Sequence, residues 1–555
     1  LKRIPTFAAA TTLVALVGCA GARTESAGRA PEAQTTTATV ISPAYLRTHL
    51  GAFAHDSMQG REAGTPGHDR AVEYLARQLA RIGAQPGGEN GTYFQNVPLI
   101  TNALDLSTPL TVDGTALQPG VDYAPIDQRT LIRSVAGAAV VYGGKVSEVA
   151  SLPAEQLAGK FVIVQAEPGR PLLPRGGQGS NLSGIVGIGI TGVDDLFREY
   201  ADYFVTPSAG VDFDESSPPR PVAVLLPVAT AERLLRAPSS AWQQGMTGAT
   251  LGGDIRYNRT QTPSRNVIAI LPGRDAALRG EYVAIGAHTD HMGFRAAGPL
   301  DHDSVRAVNL AVRNRSNASG GQISPAEREQ IEKEIASQRR GSASKPDSIF
   351  NGADDDGSGS IALLALAEYF ANPANRPRRS LLFVWHTAEE KGLIGSEWYT
   401  DHPTVPLDAI VANINIDMIG RGSKEDLPGG GLDYLQLLGP KRLSTEYGKL
   451  IEEVNARRSQ PFRLDEQYDA PGHPEQYYCR SDHWNYARYG IPVAFFTTGD
   501  HADYHQLTDE VQYIDFEHYA RVVSFIGDIA AEVGNRDQRP RVDQPKPDPK
   551  APCRQ

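Results

Sequence analysis

Residues 380–396 read SLLFVWHTAEEKGLIGS. Leu381 to Trp385 form an unbroken apolar run, and Glu389 and Glu390 follow closely. A run that is apolar at every position, without alternation, reads as a strand buried on both faces, as in a mostly parallel sheet covered by helices. In such sheets ligands sit beyond the carboxyl ends of the strands. Two adjacent carboxylates at that place repel, and one is pushed toward its protonated form unless a cation absorbs the charge. Taken alone, the pair reads better as a solvated helix N-terminus, where glutamate is common.

The same pattern extends outward. Apolar runs occur at Val267–Leu271, Tyr282–Ala287, Ile410–Ile416, Leu435–Leu438 and Val493–Phe496, with helical stretches such as Ser360–Phe370 and Ser444–Arg457 between them. The expected fold is therefore α/β, a mostly parallel mixed sheet flanked by helices. Polar residues recur at the expected strand ends. His288 follows YVAIGA, with Asp290 two residues on as a candidate holder of its second ring nitrogen. Asp417 follows ANINI, where a carboxylate emerging from an apolar run is costly unless it is paired or coordinates something. NGADDDGSG, residues 351–359, stacks Asp354, Asp355 and Asp356 just before a helix. Three successive aspartates repel unless a cation compensates; a helix cap is the plainer reading. An EF-hand loop is excluded, because no glutamate stands where its last ligand is needed. His505, in DYHQLTDE, is unremarkable by itself.

Together these segments supply two imidazoles, a carboxylate able to bridge, two terminal carboxylates and one left over as a base. In order and wording, GAHTDHMG, GADDDGSGS, AEEKGLIGS and NIDMIG resemble the dizinc leucyl-aminopeptidase family, whose relatives include glutamate carboxypeptidase, glutaminyl cyclase and transferrin receptor. The resemblance covers roughly residues 42–105 and 263–535. It implies two Zn²⁺ ions bridged by Asp355, with a cis peptide bond to Asp356. Glu390 and His505 would complete one site, and His288 and Asp417 the other. Glu389 would be the general base toward a water acidified by the zincs. Arg480 in RSDHW and Tyr504 resemble residues that contact the substrate or its oxyanion. The implied activity is removal of N-terminal residues from peptides. A carboxypeptidase or dipeptidase would need a cluster of arginines, of which only Arg480 stands out. A glutaminyl cyclase would use one zinc and usually lacks an inserted domain. A non-catalytic binding protein would have lost ligands that are all present here.

The rest of the chain sets context. With 555 residues, 40% hydrophobic, and a formal charge of −11, it is long enough for several domains, and its acidity argues against nucleic acid as a partner. Lys2, Arg3 and the apolar run Phe7–Val17 read as an export signal over residues 1–18, too short to span a bilayer. Leu16-Val17-Gly18-Cys19 resembles a bacterial lipoprotein site, which implies lipidation at Cys19 and a membrane anchor on the periplasmic face, with the outer membrane favoured by the absence of an aspartate after the cysteine; the alternative is an ordinary cleaved signal with an incidental cysteine and a secreted protein. Residues 19–41 read as a flexible tether. Residues 42–105 read as the first part of the peptidase domain, with an apolar face of Ala71, Tyr74, Leu75, Leu79 and Ile82. Residues 106–262 carry short β-rich runs (AGAAVVYGG, GKFVIVQAEPG, SGIVGIGITG, RPVAVLLP) and resemble a protease-associated domain inserted into the peptidase domain at 263–535. The charged stretch 295–350 would hang near the site mouth, as a lid or as surface decoration. The Pro-rich segment 536–555 reads as disordered. With Cys19 assigned to lipid, only Cys479 and Cys553 remain, one in a motif and one in that tail, so no structural disulfide is expected.

Overall fold

The computed structural model describes residues 41–126, 132–167, 184–194, 196–197, 207–211, 221–295, 298–319, 323–427 and 429–555. The leader 1–18, Cys19 and all but the last residue of the tether lie outside them. No helix among the described residues is long and apolar enough to cross a membrane.

The main sheet is built on β1 (Ser264–Leu271), β2 (Tyr282–His288), β3 (Ser380–His386), β4 (Ile410–Ile416), β5 (Tyr434–Leu438) and β6 (Val493–Thr497), in the spatial order β1-β3-β2-β4-β6-β5. The neighbours β3, β2, β4 and β6 are parallel; β1 and β5 flank them antiparallel. Every residue of β3 and β4 is buried, as the unbroken apolar runs require. Helices α1 (Pro43–Phe53) and α2 (Pro66–Arg81) begin at Ser42 and Thr65, whose hydroxyls accept from Tyr45 N and His68 N. The buried side of α2 carries Ala71, Val72, Leu75 and Leu79 into the core, with Tyr74 and Ile82 at its margin.

Two insertions leave this frame. The chain departs the sheet at Leu99: strand Leu99–Leu104 pairs with Asp254–Gln261 and Ser208–Val211 instead. The runs foreseen within 106–262 form Ala139–Lys145, Phe161–Gln165, Gly187–Thr191 and Val222–Leu225, four adjacent parallel strands at the centre of a second sheet. They have their own apolar cores on both faces. The second insertion is a helical hairpin, α3 (His302–Ser319) and α4 (Pro325–Gln338), the latter opened by a Ser324/Glu327 capping box. Its stem is a narrow antiparallel ribbon in which Gly293 pairs with Phe350 and Leu300 with Asp347.

Helix α5 (Gly357–Ala371) follows the aspartate triplet and is buried along most of its length. Helix α6 (Ile394–Asp401) follows Glu390, and α7 (Thr445–Ala456) and α8 (Phe516–Asn535) complete the cover.

Two expectations fail at the end of the chain. Cys479 and Cys553 are joined in a disulfide across a separation of 74 residues. The segment expected to be disordered lies against the domain without regular structure. The Asp543 carboxylate accepts from Thr445 N at 3.0 Å, and Gln555 Oε1 from Tyr478 N at 2.9 Å. Its prolines preclude a helix or a strand, but isolated polar contacts and one covalent tie suffice to hold it.

Candidate metal centre and active site

Parallel strands deliver the groups. His288 is the last residue of β2, Asp417 follows β4 directly, and Glu389 and Glu390 lie just beyond β3. Asp355 precedes α5 and carries the cis peptide bond to Asp356. His505 comes from the loop after β6. Non-glycine residues with left-handed φ cluster here: Ala388 (+54°), Met418 (+61°) and His505 (+55°) each adjoin or supply a site group. Such backbone conformations persist where the surroundings over-determine them.

The donor atoms converge on Asp355. His288 Nε2 lies 3.2 Å from Asp355 Oδ1 and 3.6 Å from Asp417 Oδ1. On the other side, His505 Nε2 lies 3.1 Å from both Asp355 Oδ2 and Glu390 Oε2. Two ligands of one tetrahedral zinc stand about 3–3.5 Å apart, and these nitrogen–oxygen pairs lie at or close to that spacing. Imidazole nitrogen with carboxylate oxygen is also a donor set that suits zinc. Glu389 belongs to neither grouping: its Oε2 is 3.9 Å from His288 Nε2 and faces the same space.

Two further residues come within ligand distance, His291 and Asp356. Their hydrogen bonds show other duties. Asp356 Oδ2 accepts from His288 N, and its Oδ1 from Gly359 N and Met418 N, so this carboxylate laces β2, β4 and the start of α5 together. His291 Nδ1 is 2.7 Å from Glu390 Oε1, the oxygen turned away from His505, and so fixes that carboxylate. Asp290 corrects the expectation made of it. Its backbone carbonyl, not its carboxylate, holds His288 Nδ1, at 3.1 Å against 3.9 Å for Oδ1. The carboxylate instead accepts from Glu389 N at 3.1 Å.

Other supports had not been singled out in the sequence. Ser481 Oγ donates to Asp417 Oδ2 at 2.7 Å. Asp509 accepts from Asp354 N and Asp355 N at 3.0 Å each. Arg61, fully buried, donates to Thr289 O at 2.9 Å and Gly352 O at 2.8 Å, tying the His288 loop to the aspartate loop. His291, Ser481 and Asp509 all sit inside motifs already recognised as site segments, a signal that could have found them. Arg61, far away in sequence, gave none.

Electrostatics divides the carboxylates. Burial alone would raise Asp355, but hydrogen bonds from His288 and His505 hold it well below the usual range. Burial and the charge of Asp355 work against Glu390 too, yet His505 and the bond from His291 bring it to about 2. Glu389 is pushed well up by burial and by the neighbouring charges of Asp417 and Glu390, which outweigh His288. Burial opposes the charge on His505, but Glu390 and Asp355 raise it to about 11. Asp355 and Glu390 are thus held as anions by their histidine neighbours, and Glu389 has a raised proton affinity.

A narrow pocket opens beside these groups, lined by Met418, Phe495, Tyr477, Arg480, Asp500 and Tyr504. Arg480 Nη2 donates to the Tyr504 hydroxyl at 3.1 Å, and the Tyr504 ring stacks on His505. Burial and the charges of Asp355 and Glu390 keep the Tyr504 phenol protonated.

Residues 266–530, which supply every one of these groups but Arg61, match peptidase family M28. Leucine aminopeptidase 1 of Ajellomyces dermatitidis is 30% identical over 196 residues, 34% of this chain and 48% of that protein. Leupeptin-inactivating enzyme 1 of Streptomyces exfoliatus is 30% identical over 173 residues, 30% of this chain and 33% of that protein. The alignments therefore span half or less of these relatives' length. Among solved structures, an aminopeptidase from Aneurinibacillus sp. strain AM-1 superposes with a TM-score of 0.54 at 17% identity, over 92% of this chain and 99% of that one, a likeness of fold.

Proposed function

From the match of residues 266–530 to peptidase family M28, we propose that the chain is a zinc-dependent aminopeptidase whose two zinc ions would share Asp355 as a ligand. The observation that carries this reading is the single Asp355 carboxylate between His288 and His505, with Glu389 facing the same space uncommitted. His288 and Asp417 would hold one ion, and Glu390 and His505 the other. Zinc there would polarise the scissile carbonyl and acidify a water. Glu389, raised in proton affinity, takes the proton of the attacking water and passes it to the leaving amine. Tyr504, kept protonated by burial and by the charges of Asp355 and Glu390 and oriented by Arg480, donates to the oxygen that develops negative charge.

The pocket favours an amine over a carboxylate as the substrate's free end. Asp500 lines it together with Glu389 and Asp417. The arginines nearby are engaged elsewhere: Arg306 and Arg421 pair with Asp503, and Arg313 donates to Asp500 O. Among the described residues Arg480 is the one arginine lining the pocket, with Glu475 at 4.0 Å, which argues against a carboxypeptidase reading. We read the leader and Cys19 as placing the enzyme outside the cytoplasm on a lipid anchor. The inserted sheet we read as a protease-associated domain that shapes access for longer peptides.

Aminoacyl chromogenic substrates, compared with N-blocked and C-terminal-acidic peptides, test the activity. Hydrolysis confined to free-amine substrates and abolished by chelator is expected. Cleavage of N-blocked acidic peptides instead would overturn the aminopeptidase reading.

A further inference from the structure

The ligands differ in how they are held. The side chains of His288, Asp355, Glu390 and Asp417 are 1%, 4%, 8% and 12% exposed, whereas His505 is 34% exposed. The first four are anchored by strand ends or by the buried start of α5. His505 lies on the loop 499–509, whose internal backbone bonds are short turns: Tyr504 N to His501 O, Gln506 N to Asp503 O, Asp509 N to Gln506 O. No sheet ladder fixes its position.

The peptidase domain touches this loop through Arg480 on the Tyr504 hydroxyl, the Tyr477 hydroxyl on Asp500, and the amides of Asp354 and Asp355 on Asp509, and the second insertion touches it through one face of α3. Arg306, Asn309 and Arg313 stand at helical spacing and meet it at successive points. Arg306 Nη1 pairs with the buried carboxylate of Asp503. Asn309 Nδ2 donates to Gln506 Oε1 at 3.4 Å, and Arg313 Nη2 to Asp500 O at 2.6 Å. Asp503 and Gln506 bracket Tyr504 and His505. The Arg306 guanidinium is itself seated 3.4 Å over the ring of Tyr513, on which His302 stacks. Asp503 is also held from beneath by Arg421 and by Thr508 Oγ1. The loop is thus gripped between the domain and the hairpin.

We propose that α3 is a positioning element for the His505 side of the metal centre. Arg306, Asn309 and Arg313 clamp the loop so that His505 and Tyr504 are presented at fixed geometry, and the hairpin sets how firmly the second ion is kept. The inference rests on the two-zinc reading above. Outer partners of ligands commonly govern metal affinity by roughly 10–100-fold, and the clamp should act on one ion and spare the other.

The test follows zinc per chain over time in excess chelator, with thermal unfolding in parallel. The zinc-loaded full chain is compared with a variant carrying Arg306→Gln, Asn309→Ala and Arg313→Gln. The expected result is that one of two zincs leaves roughly ten-fold faster or more in the variant while the other leaves as in the parent. Arg306→Lys, which keeps a cation facing Asp503, should restore retention when placed in that background. Arg306→Gln alone should act in the same direction if the triple variant does not fold. Glu329→Gln with Lys333→Gln, an exposed pair on α4, should change nothing. Retention of both ions at parental rates, or equal acceleration of both, would overturn the clamp. A parent chain that takes up no zinc would overturn the two-zinc reading instead, and the clamp with it.

Discussion

The inserted sheet and the main sheet both centre on parallel apolar strands, yet they bury different chemistry. Between Leu99 and Gln261 the buried polar side chains among the described residues are Asn102, Thr191 and Thr230, none of them charged. The main sheet's strand ends bury His288, Asp290, His291, Asp354, Asp355, Asp356, Asp417, Asp482 and Asp509. Burying one unpaired charge costs several kcal/mol, so a fold tolerates such a density only where the groups bind one another or a cation. The inserted region is what an apolar pattern yields when nothing else is asked of it. The main sheet departs from that pattern chiefly at the end where the parallel strands stop; at the other end Arg379 is buried and paired with Glu281.

If this contrast is right, substitutions in the two regions should separate chemistry from stability. Glu389→Gln should reduce kcat by roughly 10²–10⁴-fold with zinc content unchanged, read by steady-state kinetics beside elemental analysis. Near-parental turnover would remove Glu389 from its role. In the inserted sheet, Phe161 is buried and its ring faces Gly187 and Gly189, where an added side chain would meet it within 2.9 Å. Phe161→Ala should cost about 3–5 kcal/mol in denaturant unfolding, with kcat on a small aminoacyl substrate unchanged. A matching fall in kcat would break the separation. Cys553→Ser, which opens the disulfide to Cys479, should lower stability by about 2–5 kcal/mol and leave zinc in place.

The smallest effect concerns pH. Glu510 is raised to about 7, chiefly by burial, against about 4.3 for an exposed glutamate. The unfolded chain ionises this group first, so folding loses stability as pH rises from the lower value to the higher. Glu510→Gln should therefore stabilise the protein at pH 8 and lose that advantage below about pH 4. A thermal-unfolding series across this range reads it, and an advantage that grows toward low pH would refute the sign.

The sheet was legible because its strands are apolar at every position, a pattern that needs no partner to be recognised. Asp355, Glu389 and Glu390 were legible for the opposite reason, as carboxylates too dense for that setting. What escaped was whatever depended on distant partners. Arg61 grips Thr289 O and Gly352 O through a contact between residues more than 200 apart, with no local signature. The disulfide escaped because Cys553 lies in a stretch whose composition resembles a linker. The choice of the Asp290 carbonyl over its carboxylate turns on a difference of less than 1 Å, which no motif encodes.

On the proposed reading, Asp355 would serve both zinc ions. Diffraction from crystals of the zinc-loaded protein, recorded on both sides of the zinc absorption edge, tests it directly. Two anomalous peaks roughly 3.5–4 Å apart are expected, one toward His288 and Asp417 and one toward His505 and Glu390, with Asp355 between them. A single peak, or peaks that do not share Asp355, would contradict it.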